Sequence, residues 1–297
     1  MFARLAAVAL ALLAAGPVSA QRDLPAGTPV RQFLAACEGK DGWSDPSPPV
    51  RIFANVYHVG TCGITALLVV GSEGHVLIDG GPADAARLIA DNIEALGFKL
   101  QDVKWIVASH EHHDHVGGLA ELKGLTGASV AARAAQKGPL EAGKLDWRDP
   151  QAALNNNFPR VTVDRVMRDG EHLVVGNLDL TLHSTPGHSP GSTTWSWRSC
   201  QGNTCRNVVY ADSVTSVSSD EYQYSRQPIY VDAFTRSLGK IAGLSCDILI
   251  TPHPGASSLH ERLAGQQPLV DPESCLNYAT AAQQALEARL AREQPRR

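Results

Sequence analysis

The chain has 297 residues, and its 43% hydrophobic and 19% charged residues with a formal net charge of -4 are ordinary for a globular enzyme. This charge gives no reason to propose nucleic acid or an anionic membrane as a partner. The length accommodates one large domain or two halves that share a core.

The first twenty residues have the pattern of a secretory signal peptide. Arg4 precedes an apolar run from Leu5 to Ala15, and Val18-Ser19-Ala20 is a small-residue cleavage site. The apolar run is shorter than the roughly 20 residues that a membrane-spanning helix needs. Gln21 follows the predicted cut, and because it is not a cysteine, no lipid anchor is indicated. We expect residues 1–20 to be a signal peptide and residues 21–297 to form one periplasmic domain without a membrane anchor.

The six cysteines of an exported chain are expected to form disulfides, because that compartment is oxidising. Cys200 and Cys205 bracket a short polar loop between two strand-like runs, which makes them a candidate pair across a hairpin. Sequence alone leaves many pairings open. Among the other four cysteines, the pairs that are local in sequence are Cys37 with Cys62 and Cys246 with Cys275.

The first half of the mature chain predicts an irregular arm followed by strands and a helix. Five prolines between residues 21 and 49 predict an irregular N-terminal arm tied down by Cys37. Apolar residues at helical spacing between Pro82 and Gly97 predict a helix, and another is expected over 119–125. Short β-rich runs separated by glycine predict strands. These runs are 56–59, 66–70, 75–79 and 105–108.

The second half repeats this order of strands and helices. Residues 134–160 show little periodicity and predict a long loop, which beside a site would shape substrate access. Strands are expected at 178–183, 193–197, 207–210 and 247–251, and helices at 231–244 and 274–292. Two halves of this kind predict an α/β fold in which two sheets pack face to face with helices outside.

The densest cluster of metal-binding groups is the HxHxDH stretch after residue 109. His110, His112, Asp114 and His115 bring four such groups into six residues. Catalytic zinc keeps one of four places open for water, so four side chains on one turn suggest two metals, each with a further ligand from elsewhere. A solvated histidine-rich patch is the alternative, but the strand before the motif and the two glycines after it favour a built site. His113 is expected to lie behind the ligands or to face solvent rather than to bind metal.

Two later histidines supply the missing ligands in this interpretation. His188 lies in Thr-Pro-Gly-His-Ser-Pro-Gly and His253 in Thr-Pro-His-Pro-Gly, each on a tight turn just past a predicted strand. Such positions suit catalytic groups, because the sheet aims a residue that the loop leaves accessible. Asp79 ends a predicted strand before Gly80-Gly81, and we expect it to orient the metal loop by hydrogen bonds.

These motifs together resemble the metallo-β-lactamase superfamily and, across nearly the whole mature length, its third subclass, B3. The segments that favour this subclass are 42–46, 57–64, 195–200, 210–213 and 246–249. The resemblance implies a four-layer αβ/βα sandwich and two Zn²⁺ per chain. One zinc would be held by His110, His112 and His188, and the other by Asp114, His115 and His253.

The resemblance also implies the reaction and the substrate contacts. A zinc-bound hydroxide oriented by Asp114 would open the β-lactam amide of penicillins, cephalosporins and carbapenems, which confers antibiotic resistance. Ser213 and Thr215 stand where this subclass keeps hydroxyls near the substrate carboxylate, and Asp212 is expected to face away from the metals. A monomer with a small-molecule partner is expected.

Other hypotheses remain open at this point. The superfamily motif alone is shared by hydrolases of thioesters and lactones, and a non-catalytic periplasmic zinc-binding protein is a further alternative. The stretch Ser237-Leu238-Gly239-Lys240 matches the SxxK pattern of serine β-lactamases, but the chain lacks the Ser-Asp-Asn and Lys-Thr-Gly motifs that complete that machinery.

Overall fold

A computed structural model describes residues 24–294 of the protein. The predicted signal peptide lies outside the described residues. Within them, no helix is both long enough and apolar enough to cross a membrane.

Seven strands form the first sheet in the order of the chain. They are β1 Val50–Phe53, β2 Val56–His58, β3 Leu67–Val70, β4 His75–Ile78, β5 Val103–Val107, β6 Ser129–Arg133 and β7 Arg165–Met167. The strands from β1 to β4 form an antiparallel meander, and those from β4 to β7 are parallel. The carboxyl ends of β4 and β5 therefore meet at one edge of the sheet.

Five strands form the second sheet in the order β12, β11, β10, β9, β8. They are β8 His172–Val175, β9 Leu178–Ser184, β10 Thr193–Gln201, β11 Thr204–Tyr210 and β12 Ile248–Ile250. All neighbours are antiparallel except β11 and β12, which are parallel.

Eight α-helices lie in the part of the chain that the structure describes. They are α1 Val30–Cys37, α2 Ala86–Ala95, α3 His113–Val116, α4 Leu119–Thr126, α5 Ala134–Ala142, α6 Pro228–Ala242, α7 Leu259–Leu263 and α8 Ser274–Glu293. Two of them correct the sequence analysis. Helix α1 lies inside the arm expected to be irregular, and α5 occupies the start of the segment expected to be a long loop.

The hydrophobic core is divided by the two sheets into three layers. Leu67 and Val69 of β3 pack between the sheets with Leu180 and Trp195 of the second sheet, whereas Leu68 of the same strand faces the opposite side. This alternation follows from the two-residue period of a strand. Helices α2 and α4 cover the outer face of the first sheet, and α6 and α8 cover that of the second. The result is the four-layer αβ/βα sandwich.

Three disulfides join parts of this sandwich. Cys37 bonds to Cys62, 25 residues away, and ties α1 to the loop after β2. Cys200 bonds to Cys205 across the β10–β11 hairpin. The third disulfide joins Cys246, before β12, to Cys275 at the start of α8.

Candidate metal centre

The HxHxDH turn begins just past β5 and is held there by Asp79. Asp79 follows β4 and accepts hydrogen bonds from the backbone N–H and the hydroxyl of Ser109 at 2.6 and 2.7 Å. The hydroxyl of Tyr210 donates to the same carboxylate at 2.7 Å. Asp79 has a φ of 64°, a left-handed conformation that aspartate tolerates better than most residues do. This buried carboxylate fixes the start of the turn.

His110, His112 and His188, here called the three-histidine cluster, meet beyond the end of β5. One ring nitrogen from each lies within 4.8 Å of the others, and all three side chains are buried. His188 lies on the turn after β9, and its Nε2 is 3.1 Å from Nδ1 of His112. The two sheets thus contribute to one cluster, because β5 belongs to the first and β9 to the second.

Asp114, His115 and His253, here called the aspartate cluster, lie beside it. Asp114 Oδ2 is 3.1 Å from His115 Nε2 and 3.4 Å from His253 Nε2. The two Nε2 atoms are 3.3 Å apart. Asp114 and His115 belong to α3, whereas His253 follows β12. Because His110 also lies within 4.8 Å of ligand atoms of Asp114 and His115, the two clusters adjoin.

Hydrogen bonds behind the three-histidine cluster leave two inward-facing nitrogens without protons. His188 Nδ1 lies 2.9 Å from the carbonyl oxygen of Thr215, and His112 Nε2 lies 3.1 Å from a carboxylate oxygen of Asp149. A neutral imidazole has one N–H, so each of these outer nitrogens carries the proton. His112 Nδ1 and His188 Nε2 then face each other with two lone pairs at 3.1 Å, an arrangement that a cation between them satisfies.

His110 adds a third inward-facing nitrogen. Its Nδ1 is 2.8 Å from Asp212 Oδ1, and its Nε2 is buried with no hydrogen-bond partner within residues 24–294. Three inward-facing imidazole nitrogens are the ligand set that tetrahedral zinc takes when one position stays open. The donor set of the three-histidine cluster therefore fits zinc.

The electrostatics differ between the two clusters. Burial lowers the pKa of His188 to about 3, and burial and the charge of His115 lower the pKa of His253 to about 4. Both are therefore neutral imidazoles at neutral pH, the form that binds metal. Burial acts to lower the pKa of His115, but the carboxylates of Asp114 and Asp79 outweigh it and raise the pKa to about 10. The carboxylates around His115 thus favour a positive charge in the aspartate cluster.

Three carboxylates near the ligands were not identified as contacts by the sequence analysis. Asp149 lies behind His112, and Asp212 lies behind His110. Glu111 accepts hydrogen bonds at 2.9 Å from the Ser189 hydroxyl and from a backbone N–H on the His188 turn. Burial and the charge of Asp149 raise the pKa of Glu111 to about 7. Spacing gave no signal for these contacts, because their partners lie 37 to 102 residues away.

The remaining predicted site residues lie close to these clusters. Ser213 is buried just after Asp212, and Thr215 Oγ1 is 3.0 Å from His188 Nδ1. His113 is half-buried, with its ring centroid 5.5 Å from that of Trp43.

Known proteins resemble the chain over most of its length. The model of the metallo-beta-lactamase superfamily matches residues 59–201. The metallo-β-lactamase MIM-1 from Novosphingobium pentaromativorans is 49% identical, with 88% of this chain and 97% of that chain covered and a TM-score of 0.86. MEM-A1, a subclass B3 metallo-β-lactamase isolated from a soil metagenome library, is 38% identical, with 85% and 98% covered and a TM-score of 0.82. The chain belongs to subclass B3 of the metallo-β-lactamases. The predicted family and fold are confirmed.

Sequence relatives of this metallo-β-lactamase include enzymes with other substrates. The hydroxyacylglutathione hydrolase of Pseudomonas fluorescens is 33% identical over 114 residues, 38% of this chain and 35% of that protein. The N-acyl homoserine lactonase AttM of Agrobacterium fabrum is 28% identical over 151 residues, 42% of this chain and 55% of that protein. The chain thus spans about a third to a half of the length of these relatives. The protein is a zinc-dependent hydrolase.

Proposed function

We propose that the protein hydrolyses the amide bond of β-lactams, namely penicillins, cephalosporins and carbapenems, with two Zn²⁺ per chain. The observation that carries this proposal is the extent of similarity. Metallo-β-lactamases resemble the chain over more than four fifths of its length, whereas the thioester and lactone hydrolases match less than half of it. The proposed ligands are His110, His112 and His188 for one zinc, and Asp114, His115 and His253 for the other.

The side chains of both clusters have chemistry that suits amide hydrolysis. Zinc, when bound, supplies a Lewis acid for the carbonyl oxygen and makes water nucleophilic at neutral pH. Asp114 is 6% exposed at its side chain, and its carboxylate would accept a hydrogen bond from the attacking water and orient it. Burial of the surrounding histidines excludes bulk water and strengthens these electrostatic effects.

Hydroxyls near the His188 turn are the proposed contacts of the substrate carboxylate. Ser213 and Thr215 lie on the segment after β11, and Thr215 is exposed while its Oγ1 contacts His188. A hydroxyl can donate to a carboxylate without adding charge, so these residues would fix the orientation of the β-lactam ring rather than attract it from a distance.

A covalent serine mechanism does not suit the contacts of the SxxK stretch. The hydroxyl of Ser237, on α6, donates to the carbonyl oxygens of Pro186 at 2.7 Å and Ala233 at 2.9 Å. The ammonium of Lys240 pairs with Asp169 at 2.8 Å. Both side chains are engaged in these contacts, so no acyl-enzyme on Ser237 is part of the proposal.

The cellular setting is part of the same proposal. A signal peptide over residues 1–20 would deliver residues 21–297 to the periplasm as a single domain, where hydrolysis of the drug would confer antibiotic resistance. The three disulfides support an exported protein, because such bonds persist in oxidising compartments. We expect the mature protein to be a monomer.

Thioester hydrolysis is the second candidate, and the match to hydroxyacylglutathione hydrolase favours it over the remaining alternatives. The test is to measure kcat/KM of the purified zinc-loaded protein for a chromogenic cephalosporin, a carbapenem, a hydroxyacylglutathione thioester and an acyl homoserine lactone. We expect both β-lactams to be turned over at least about 100-fold more efficiently than the other two substrates. A preference for the thioester or the lactone would refute the proposal.

A further inference from the structure

The segment between α5 and β7 reaches the metal centre through one buried side chain. Asp149 is 2% exposed, and its Oδ2 and Oδ1 lie 3.1 and 3.3 Å from Nε2 of His112. Its Oδ1 also accepts a hydrogen bond from the backbone N–H of Gln151 at 2.7 Å. The Asp149 carboxylate therefore stabilises the turn on which it lies and also contacts a proposed metal ligand.

These contacts determine which nitrogen of His112 carries the proton. A carboxylate only accepts hydrogen bonds, so His112 Nε2 must donate, and in the neutral imidazole that binds metal Nδ1 keeps its lone pair. That lone pair faces Nε2 of His188 at 3.1 Å, and the side-chain amide nitrogen of Gln151 lies 3.4 Å from it. The Gln151 amide can donate to an acceptor at Nδ1, and the lone pair of His188 Nε2 opposite Nδ1 suits a cation between the two rings.

We propose that Asp149 is a positioning residue that fixes the tautomer of His112 so that Nδ1 is available to zinc. The inference rests on the proposed role of His112 as a zinc ligand. Its consequence is that the segment between α5 and β7 controls the zinc affinity of the three-histidine cluster, although no residue of that segment belongs to the cluster. Hydrogen-bond partners of this kind orient ligand histidines and raise metal affinity.

The discriminating substitution is Asp149→Asn, because it preserves shape and changes only the pattern of donors. If the amide oxygen keeps the bond from the Gln151 N–H, the amide NH₂ faces His112 Nε2. His112 then becomes the acceptor at Nε2 and carries its proton on Nδ1, where zinc should bind. If the amide turns over, its NH₂ opposes the N–H of Gln151 instead. The first orientation holds His112 in the tautomer that protonates Nδ1, and the second leaves the N–H of Gln151 without an acceptor, so an isosteric change should damage metal binding.

The experiment measures zinc affinity by competition with a chromophoric chelator for the wild type, Asp149→Asn and Asp149→Ala. We expect Asp149→Asn to weaken the affinity for the zinc of the three-histidine cluster by about 10- to 100-fold, whether that zinc is the tighter or the weaker of the two. The loss of affinity should be at least as large as for Asp149→Ala. The other zinc should change by less than about threefold. Asp146→Asn is the matched control, because Asp146 lies on the same segment and bonds only to Arg148 through its side chain.

Two outcomes would overturn the inference. One is an Asp149→Asn protein that binds zinc as tightly as the wild type while Asp149→Ala does not, because that result assigns Asp149 a packing role. The other comes from ¹⁵N NMR of the zinc-loaded wild type, which requires no variant to fold. We expect His112 to be protonated at Nε2 and coordinated at Nδ1, and the opposite assignment contradicts the inference. Failure of the wild type to hydrolyse β-lactams would refute the proposed function and leave both of these measurements interpretable.

Discussion

Each histidine of the three-histidine cluster has one ring nitrogen turned inward and the other bonded to an acceptor behind it. The acceptors are Asp212 for His110, Asp149 for His112 and the Thr215 carbonyl for His188. Because the rings are fixed before metal arrives, little side-chain freedom remains to be lost when it binds.

At the residue scale, Asp114→Asn should damage turnover far more than folding. The change keeps the size of the side chain but removes the charge that lies 3.1 Å from His115 Nε2. We expect kcat and the affinity for one of the two zincs to fall by more than about 100-fold. This loss exceeds the usual effect of removing a hydrogen-bond partner of a metal ligand. Steady-state kinetics and zinc content measure both quantities.

The control for this variant is Asp91→Asn, an exposed carboxylate on α2. Both variants should keep the far-UV circular dichroism spectrum and nearly the midpoint of thermal unfolding of the wild type. An Asp114→Asn protein with wild-type turnover and full zinc content would show that this carboxylate neither binds zinc nor orients water.

The sequence predicted the proposed zinc ligands better than it predicted the carboxylates that contact them and the turns that carry them. Four of the six proposed ligands stand on turns after strands, and Asp114 and His115 lie in the short helix α3 that follows one of these turns. Their residue types are those that zinc selects, so motif spacing was informative. Asp149 and Glu111 gave no such signal. Asp149 lies 37 residues from His112, and Glu111 bonds to Ser189, 78 residues away, so only tertiary packing brings these pairs together.

At the element scale, the centre depends on where strands end. The turns after β5, β9 and β12 bring His110, His188 and His253 to one edge of the two sheets. The first strands were predictable as short β-rich runs between glycines, and helix α2 from its apolar spacing. Helices α6 and α8 were also predicted. Helix α1 was missed because the prolines on both sides of it suggested an irregular arm, although Phe33 and Cys37 on its buried face pack against Val50. No strand was predicted at β1, β6, β7 or β8.

The disulfides that connect these elements are expected to stabilise the fold to different extents. Cys37–Cys62 closes 25 residues and is buried, whereas Cys200–Cys205 closes 5 residues at a hairpin tip. The chain-entropy account makes the longer loop more stabilising by about 1.4 kcal/mol, and loss of buried Cys37 adds to this difference. We expect the Cys37→Ala/Cys62→Ala variant to be destabilised at least that much more than Cys200→Ala/Cys205→Ala. Urea unfolding of the zinc-free proteins measures it, and equal losses would contradict this expectation.

At the scale of the whole molecule, one core joins both sheets. Val76 and Val107 of the first sheet pack in the same apolar layer as Leu182, Trp195 and Val208 of the second. Neither sheet can lose its partner without exposing that layer, and exposed apolar surface is the main cost of unfolding. The proposal of a single domain follows from this shared layer.

The shared core predicts one cooperative unfolding transition. In zinc-free protein with its disulfides intact, we expect tryptophan fluorescence and far-UV circular dichroism to give the same midpoint in urea. Trp195 and Trp197 report on the layer between the sheets, since both are buried there. Two separated transitions would indicate that the halves fold independently.

Stepwise reconstitution with zinc tests the central claim most directly. Protein made metal-free with a chelator and verified by elemental analysis should have no measurable turnover of a carbapenem. Turnover should rise as zinc is added, reach its maximum at two zinc ions per chain and be unaffected by clavulanate, because no serine acyl-enzyme is formed. Full carbapenem turnover by the verified metal-free protein would contradict the account.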